Sequence, residues 1–285
     1  MTSRYERQER LFGAEGQALI RQSRVGVVGL GGIGSHIAQQ LSYLGVGALT
    51  LVDPDTLDTT NLNRVVGATQ TDVGSKKTSI AHRHIKFINS DIIVAEFPNN
   101  LLTAPVLAKL TTCTHIFGCV DNDGPRLVLN ELCVAYEIPY FDVASEIVND
   151  GSDYGGRVSV IFDKAGCLYC RGEISTEEAR EYLAPSSTKI DVDNVYGVHR
   201  LHLPDSGPSV VSINGTVASL AVTEFMVTVT GLRRPHRARN YNGKMAIVTI
   251  PPDNISAKAE HCYYCKSIRG IRERANLQKY LPCEE

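Results

Sequence analysis

The stretch "SRVGVVGLGGIGSHIAQQLSYLGVGALTLVD", Ser23 to Asp53, decides the fold. A short run of β-branched residues ends in glycines, apolar residues then recur at helical spacing, and a second apolar run ends on an acid. This order predicts a strand, a helix and a parallel strand joined by a right-handed crossover. Gly29, Gly31 and Gly34 match G-x-G-x-x-G, and Asp53 follows at the distance of a ribose-binding acid. The stretch predicts a nucleotide-binding turn and leaves open whether the nucleotide is a dinucleotide or ATP.

The alternation of helix and strand patterns continues to about residue 150. Helices are predicted in TSIAHRHIKFIN, TAPVLAKLTT and PRLVLNELCVAYE, and strands in DIIVAEFP, HIFGCVDN and PYFDVAS. Such alternation is typical of a parallel sheet covered on both faces. We therefore predict an α/β fold with a doubly wound, Rossmann-like, mostly parallel sheet.

The second half of the chain does not continue the regular alternation of helix and strand patterns. GRVSVIF and KMAIVTI read as strands, PSVVSINGTVASLAVTEFMVTVTG reads as a strand edge leading into a long buried helix, and residues 171–206 read as polar and irregular. No linker separates two domains, so one domain is predicted over residues 1–285. Its parts are a helical segment 1–23, a nucleotide-binding half 24–150, a strand-rich partner-binding half 151–265 with a loop at 171–206 and a zinc site, and a tail 266–285.

The composition excludes several functional classes. Of 285 residues, 43% are hydrophobic and 21% charged, and the formal net charge is -2, as in an ordinary soluble protein. Without a basic excess, no nucleic-acid partner is expected. The charged N-terminus does not fit a secretory signal, and no apolar run approaches the roughly 18 residues of a membrane span. A cytoplasmic protein without a membrane partner is expected.

Polar and charged residues follow the later strands or begin the next helices, namely Asn61, Arg64, Lys77 and Asp121. The carboxyl ends of parallel strands share one crevice, so these side chains are expected to converge. Arg and Lys offset the charge of a triphosphate, and Asp is a hard ligand for Mg²⁺. The set favours ATP over a nicotinamide cofactor. The alternatives are that Arg64 and Lys77 are surface charges, that Lys76 takes the place of Lys77, and that Asp121 caps the helix near Pro125.

A series of short motifs occurs in order, namely Gly29-x-Gly31-Gly32-x-Gly34, Asp53-x-Asp55, Asn61-Leu62-Asn63-Arg64, Gly74-x-x-Lys77 and Cys119-x-Asp121-Asn122. Together with RYERQ near the N-terminus, the series resembles the adenylyltransferase family of ubiquitin-activating enzymes, with its bacterial ThiF, MoeB and HesA members. The resemblance runs from about Arg4 to Gly231. It implies that the chain binds ATP and Mg²⁺ and converts the C-terminal carboxylate of a ubiquitin-like protein, sulfur carrier or peptide into an acyl-adenylate, releasing pyrophosphate.

The resemblance also implies roles for single residues. Asp53 is expected at the ribose, Asn61, Arg64 and Lys77 at the phosphates, and Asp121 at Mg²⁺, with further ATP contacts from Gly29, Gly31, Gly32, Gly34, Asp55 and Asn122. Arg7 matches the arginine that family members insert into the ATP site of a neighbouring subunit, which implies a homodimer. An arginine supplied in this way adds a planar, permanently charged donor to the transition state.

The cysteines indicate a metal site. Cys167 and Cys170 form one C-x-x-C pair and Cys262 and Cys265 another, the ligand set of tetrahedral zinc. A redox pair is the alternative, disfavoured because neither pair is expected to open a helix. The family often carries zinc away from the ATP, which implies a structural role here. The three cysteines in apolar patterns are expected to be buried small hydrophobes, namely Cys113, Cys119 and Cys133.

The acyl acceptor is undecided. Thioester-forming family members carry a cysteine in the loop corresponding to residues 171–208, and this chain has none there. The enzyme stops at the adenylate and passes the acyl group to a partner, or a loop hydroxyl forms an oxyester, or Cys283 in the tail accepts it. Oxyester candidates are Ser186, Ser187, Thr188, Ser206 and Ser209, with His199 or His202 as the base that an alcohol needs.

The resemblance leaves the pathway open between sulfur-carrier activation, peptide modification and ubiquitin-like conjugation, the last with a downstream conjugating enzyme. Two rival classes remain on the same fold. One is an NAD-dependent oxidoreductase, and the other is a non-catalytic binding partner, which should have lost the phosphate-site residues that are present here.

Overall fold

The computed structural model describes residues 3–148, 150–164, 166–184, 208–252 and 260–281. The helices are α1 (Glu6–Gln22), α2 (Gly32–Leu44), α3 (Lys77–Ile88), α4 (Ala104–Leu110), α5 (Asp123–Tyr136), α6 (Leu168–Arg171), α7 (Thr176–Leu183) and α8 (Val211–Thr230). The strands are β1 (Arg24–Val28), β2 (Ala48–Val52), β3 (Ile93–Phe97), β4 (His115–Gly118), β5 (Tyr140–Ile147), β6 (Tyr154–Ile161), β7 (Ala238–Asn242) and β8 (Ile247–Thr249). Every helix and strand that the sequence predicts before residue 150 is present.

The strands form one sheet in the order β3-β2-β1-β4-β5-β6-β7-β8. β1 to β5 run parallel to one another. β6 pairs antiparallel with β5, β7 with β6, and β8 with β7. The predicted fold class is therefore confirmed, and the strand-rich second half continues the same sheet. The strand order reverses between β1 and β4, and such a reversal opens a crevice at the carboxyl ends of the strands.

Helices cover both faces of the sheet. α2 and α8 pack on one face, where Ile37, Leu41 and Phe225 are fully buried against Phe117 and Phe141. The rings of Phe117 and Phe141 stack with centroids 4.7 Å apart. α4 and α5 cover the other face together with the segment that carries the C-x-x-C pairs. This packing brings the amino ends of α2 and α8 together above the glycine turn.

Helix α8 corrects two expectations. Residues 208–210 form no strand edge before it. With 20 residues and a mean hydropathy of 1.2, α8 has the length and composition of a membrane span, contrary to the expectation that no apolar run approaches that length. In the structure it packs against α1, α2 and the sheet, and its Glu224 is buried and paired with Arg233 and Arg239 at 2.7 and 2.9 Å. These contacts are those of a core helix.

Three elements are absent from the sequence prediction, namely α6, α7 and β7. α7 lies within residues 171–206, so the described part of that segment is not irregular. Ser175 caps this helix by accepting a hydrogen bond from the Glu178 N–H at 3.3 Å, the Ser-x-x-Glu pattern of a helix start. β7 has the polar sequence ARNYN and pairs with β6. Only Ala238 of this strand is buried, so apolar alternation does not mark it.

The tail docks onto α5 through one buried carboxylate. Glu131 is fully buried and accepts hydrogen bonds from Lys279 Nζ at 2.7 and 2.9 Å and from the Tyr280 hydroxyl. Burial and the Glu131 carboxylate raise the pKa of Tyr280, which keeps its proton for this contact. Residues 277–280 are thereby fixed to the helix whose other end reaches the crevice.

Candidate active site

A cavity of about 690 Å³ occupies the crevice at the carboxyl ends of β1, β2, β4 and β5. Several predicted site residues line it, namely Gly29, Gly31, Gly32, Asp53, Asp55, Arg64, Lys77, Asp121, Asn122 and Ser209. Gly34, Asn61 and Arg7 do not line it. The sequence pattern therefore locates most of one site, which four strands and four helix starts assemble.

At Gly29 and Gly34 the glycine turn packs too closely against neighbouring backbone to admit a side chain. Gly29 has a φ of +87°, and a Cβ there would lie 2.4 Å from the Cys119 carbonyl oxygen. A Cβ on Gly34 would lie 1.8 Å from the Gly29 carbonyl oxygen. At Gly31, in contrast, a Cβ would meet no atom within 4 Å, and φ is -69°. Gly34 thus permits close packing of helix and strand, and Gly31 leaves open the cavity floor at the amino end of α2, where phosphate is favoured.

Two substitutions separate these roles. Gly34→Ala is expected to lower the free energy of unfolding by about 3 kcal/mol or more, because backbone must move to admit the methyl group. Gly31→Ala is expected to leave stability within about 0.5 kcal/mol and to weaken Mg·ATP binding about tenfold, because its methyl group occupies the phosphate floor. Urea unfolding and isothermal titration calorimetry measure the two effects. A Gly31→Ala protein that binds Mg·ATP normally would contradict the assignment.

Asp53 is held rigidly at the end of β2. Its Oδ2 accepts the Leu30 N–H at 2.6 Å and its Oδ1 accepts the Asp55 N–H at 2.9 Å. Burial raises the pKa of Asp53, and the Lys77 charge opposes this shift. Each carboxylate oxygen keeps a lone pair for a second donor. The geometry suits a carboxylate that accepts hydrogen bonds from two ribose hydroxyls.

Lys77 and Lys76 differ in position. Lys77 begins α3, lines the cavity, is 11% exposed and forms an ion pair with Asp55 at 2.8 Å. Lys76 is exposed and does not line the cavity, and its Nζ donates to the carbonyl oxygen of Pro54, a residue of the cavity wall, at 2.8 Å. Of the two lysines, the structure brings only Lys77 to the cavity.

Arg64 lines the cavity and Asn61 does not. Arg64 Nη1 donates to the Thr60 carbonyl oxygen at 2.5 Å and to Asn63 Oδ1 at 3.2 Å. Asn61 ends a short 3₁₀ helix, and its Oδ1 accepts the Asp58 N–H at 3.3 Å in a capping box. The expected phosphate contact of Asn61 would require its side chain to leave this cap.

The loop after β4 brings two polar side chains to the cavity. Asn122 caps α5, because its Oδ1 accepts the Gly124 N–H at 2.8 Å, so the alternative that Asp121 is the cap is wrong. Asp121 is exposed at the cavity and makes no hydrogen bond or ion pair with any described residue. A free carboxylate beside a polyphosphate site fits the ligand set of Mg²⁺, which commonly takes one or two carboxylates and completes its shell with phosphate and water.

Arg126 and Tyr182 line the cavity without having been predicted. Arg126 is buried, donates to Asp142 at 2.9 Å and also pairs with Asp123. Its sequence signal is a charged residue on an otherwise apolar helix face. The Tyr182 ring packs on Gly124, where a Cβ would lie 2.3 Å from it. This contact joins residues 58 positions apart, and local sequence carries no sign of it.

Arg7 is exposed on α1. The nearby Tyr5 packs against Gly45, the residue that ends α2, and a helix of 13 residues is about 20 Å long. Arg7 therefore lies far from the glycine turn of its own chain. Its expected role concerns the ATP site of a second subunit and remains a prediction.

The two C-x-x-C pairs come together. The sulfur atoms of Cys167, Cys170, Cys262 and Cys265 all lie within 4.8 Å of one another, with Cys167 to Cys262 at 3.8 Å and Cys170 to Cys265 at 3.9 Å. Four thiolates about 2.3 Å from a tetrahedral zinc would be about 3.8 Å apart, so the cluster fits zinc. Cys167 does cap the short helix α6, contrary to expectation, but four thiols this close together fit a metal ion better than a redox pair.

Cys113 and Cys133 are buried as expected. Cys119 is partly exposed in the cavity wall, and burial raises its pKa, so its thiol stays protonated and is a poor nucleophile. Among the acyl-acceptor candidates, the structure describes Ser209 alone. Outside the described residues lie Ser186, Ser187, Thr188, Ser206 and Cys283, and also the candidate bases His199 and His202.

The fold is that of a doubly wound α/β protein, and the cavity lies at the strand ends where such folds bind nucleotides. A sequence model of the ThiF family matches residues 5–263. The chain therefore belongs to the ThiF family, which confirms the family resemblance.

Characterised relatives are similar over part of the chain. The Sulfur carrier protein ThiS adenylyltransferase of Bacillus subtilis is 30% identical over 175 residues, which are 60% of this chain and 50% of that protein. The Molybdopterin-synthase adenylyltransferase of Escherichia coli is 36% identical over 180 residues, 62% of this chain and 70% of that protein. The match thus spans half the length of the Bacillus relative.

Solved structures share the fold. The Microcin C7 biosynthetic enzyme MccB in complex with N-formylated MccA superposes with a TM-score of 0.71 over 92% of this chain and 75% of its own, at 22% identity. The E. coli MccB structure with ATP gives a TM-score of 0.66 over 90% and 72%, at 24% identity. The PaaA structure superposes with a TM-score of 0.66 over 86% of this chain and 80% of its own, at 19% identity.

Proposed function

We propose that the chain is an adenylyltransferase that uses Mg·ATP to activate the C-terminal carboxylate of a ubiquitin-like protein, sulfur carrier or peptide. The convergence of Arg64, Lys77 and Asp121 with the glycine turn in one cavity carries the proposal. Two cations suit a triphosphate, and a nicotinamide cofactor needs neither them nor a free carboxylate. The adenylyltransferase names of the relatives and the MccB structure with ATP support it.

The residues of the chain act chiefly by positioning. Asp53 holds the ribose, and Arg64 and Lys77 hold the phosphates so that the α-phosphorus faces the incoming carboxylate. A carboxylate oxygen forms the new bond to this phosphorus while the bond to the bridging oxygen breaks, and pyrophosphate leaves with the electron pair. No proton is transferred. Mg²⁺ bound at Asp121 would offset charge on the leaving pyrophosphate.

The path of the carboxyl-terminal tail is part of the proposal. A groove of about 330 Å³ runs over β5, β6 and β7 and shares Ala144 and Glu146 with the cavity. Gly155 and Gly156 of β6 line this groove. An extended tail lying in this groove would deliver its carboxylate to the nucleotide, which supports a partner-binding role for the second half.

We further propose a homodimer in which Arg7 enters the neighbouring ATP site, a structural zinc at the four cysteines, and a cytoplasmic location. The adenylate is proposed as the product, passed to a nucleophile on a partner or downstream conjugating enzyme. Transfer to an enzyme hydroxyl or to Cys283 remains the alternative.

Ligand-induced stabilisation tests the nucleotide. Mg·ATP should raise the melting temperature and NAD(H) should not, because a ligand stabilises the fold that binds it. A shift with NAD(H) alone would favour an oxidoreductase, and no shift with either would favour a non-catalytic partner. Incubation with ATP and candidate donors, followed by intact mass spectrometry, then identifies the acceptor. A thiol-labile adduct would indicate that a cysteine accepts the acyl group. An adduct that resists thiol and is cleaved by hydroxylamine would indicate a hydroxyl, and the absence of an adduct would indicate direct transfer to a partner.

A further inference from the structure

Ser209 lies at the junction of the cavity and the amino ends of α2 and α8. Its hydroxyl oxygen accepts a hydrogen bond from Asn214 Nδ2 at 3.0 Å, and Ser209 lines the cavity whereas Asn214 lies behind it. Asn214 belongs to the first turn of α8 and is 1% exposed. One buried side chain thus fixes the position of a hydroxyl at the cavity wall.

The same amide explains Gly32. A Cβ on Gly32 would lie 2.1 Å from Asn214 Nδ2, so the glycine admits the amide against the first residue of α2. Gly32 and Ser209 both line the cavity, on either side of this amide. Ser209 is therefore placed beside the helix end that favours a phosphate oxygen.

The hydrogen bonds determine whether the Ser209 hydroxyl is available as a donor to a ligand. Its oxygen accepts the Asn214 N–H, and no described residue accepts its proton, so the O–H can donate to a ligand. Asn214 Oδ1 is buried without a partner among the described residues. A half-satisfied buried amide costs about 1–3 kcal/mol, and such a cost is typical of groups that serve a site rather than stability.

The surroundings disfavour Ser209 as the acyl acceptor. An alcohol becomes a nucleophile when a neighbouring base takes its proton. Ser209 has an amide donor on its oxygen, and no histidine is among the described residues that line the cavity. A hydroxyl in this setting is a donor.

Resting on the proposed function, we propose that Ser209 donates a hydrogen bond to an α-phosphoryl oxygen of the bound nucleotide and that Asn214 is its positioning residue. The hydroxyl adds a fixed donor to the backbone N–H groups of the α2 amino end. As negative charge at the α-phosphoryl group is redistributed during carboxylate attack, a donor fixed in advance stabilises it without reorganisation.

Binding measurements test the pair. Ser209→Ala and Asn214→Ala are each expected to weaken binding of Mg·ATP, and of glycylglycyl 5′-O-sulfamoyladenosine as an acyl-adenylate mimic, about tenfold. Ser209→Thr keeps the hydroxyl and should retain affinity. Ser212→Ala is the matched control, because Ser212 is exposed and outside the cavity lining. The double variant should lose no more than either single variant, since the two residues act as a unit.

Two outcomes would overturn the inference while leaving the proposed function intact. The first is that the wild-type protein binds Mg·ATP while the Ser209→Ala variant binds Mg·ATP and the acyl-adenylate mimic with affinities within twofold of the wild type. The second is an acyl ester located on Ser209 by peptide mass spectrometry after incubation with ATP and donor. Failure of the wild-type protein to bind Mg·ATP would instead contradict the proposed function itself, so the two failures are distinguishable.

Discussion

Replacing Lys77 by alanine is expected to weaken Mg·ATP binding about 100-fold, the value of a charge-assisted hydrogen bond in a mostly buried site. The Lys77 ammonium is 11% exposed and lies 2.8 Å from Asp55, which also lines the cavity. Removing the lysine deletes a phosphate contact and leaves the Asp55 carboxylate facing the polyphosphate. Both effects act in the same direction. Isothermal titration calorimetry with Mg·ATP measures the loss.

Lys76→Ala is the control built into the chain. Lys76 carries the same charge one position earlier, but it is exposed and does not line the cavity, and its Nζ donates to the Pro54 carbonyl oxygen. Its replacement should change Mg·ATP affinity less than twofold, as is usual for exposed charges. Adding Asp55→Asn to Lys77→Ala should restore part of the affinity by removing the repulsive carboxylate. The assignment is wrong if Lys76→Ala costs as much affinity as Lys77→Ala.

The second large effect is expected at the cysteine cluster. Cys262→Ser should reduce bound zinc from one ion per chain to nearly none and lower the melting temperature by about 10 °C or more. The cluster joins residues 167–170 to residues 262–265 and packs against α5 through Leu168, whose N–H donates to Asn130 Oδ1 at 2.9 Å. Without the metal, three buried thiols and the partly exposed thiol of Cys265 have no common partner. Elemental analysis and thermal unfolding are the measurements.

Cys113→Ala separates metal loss from core damage. Cys113 is a buried thiol in the same hydrophobic cluster but lies outside the set of four. Its replacement should lower stability through a small cavity and leave the zinc content unchanged. Full zinc content in Cys262→Ser would contradict the site. None of the four cysteines of the C-x-x-C pairs lines the nucleotide cavity. The affinity of the zinc-free protein for Mg·ATP, measured below its melting temperature, should therefore change less than threefold.

Local sequence patterns are sufficient to predict the helices and strands of the first half of the chain. The glycines at 29, 31 and 34, the apolar run before them and the acid at 53 each act within a few residues, so β1, α2 and β2 can be predicted without knowledge of the rest. The spacing of the C-x-x-C pairs likewise indicates zinc before the four sulfur atoms are seen together. α7 was missed although its Ser175-x-x-Glu178 start is a local signal.

Contacts between distant segments needed the tertiary structure. Whether Lys76 or Lys77 faces the cavity depends on where β2 ends and α3 begins. Polar strand β7 exists because β6 offers it an edge for hydrogen bonding. Side-chain identity alone does not encode such choices.

By itself, the sequence determined the class of fold, the family, the glycine turn and the two cysteine pairs, because each depends on residue types at short, fixed spacing. The tertiary structure decided which charged groups meet, that Asn214 rests on Gly32 and holds Ser209, and that Tyr182 covers Gly124 at the cavity wall. The contacts of Tyr182 with Gly124 and of Asn214 with Gly32 join residues 58 and 182 positions apart. They exist because the sheet order and the packing of α7 and α8 bring those segments to one crevice, and no local pattern records that geometry.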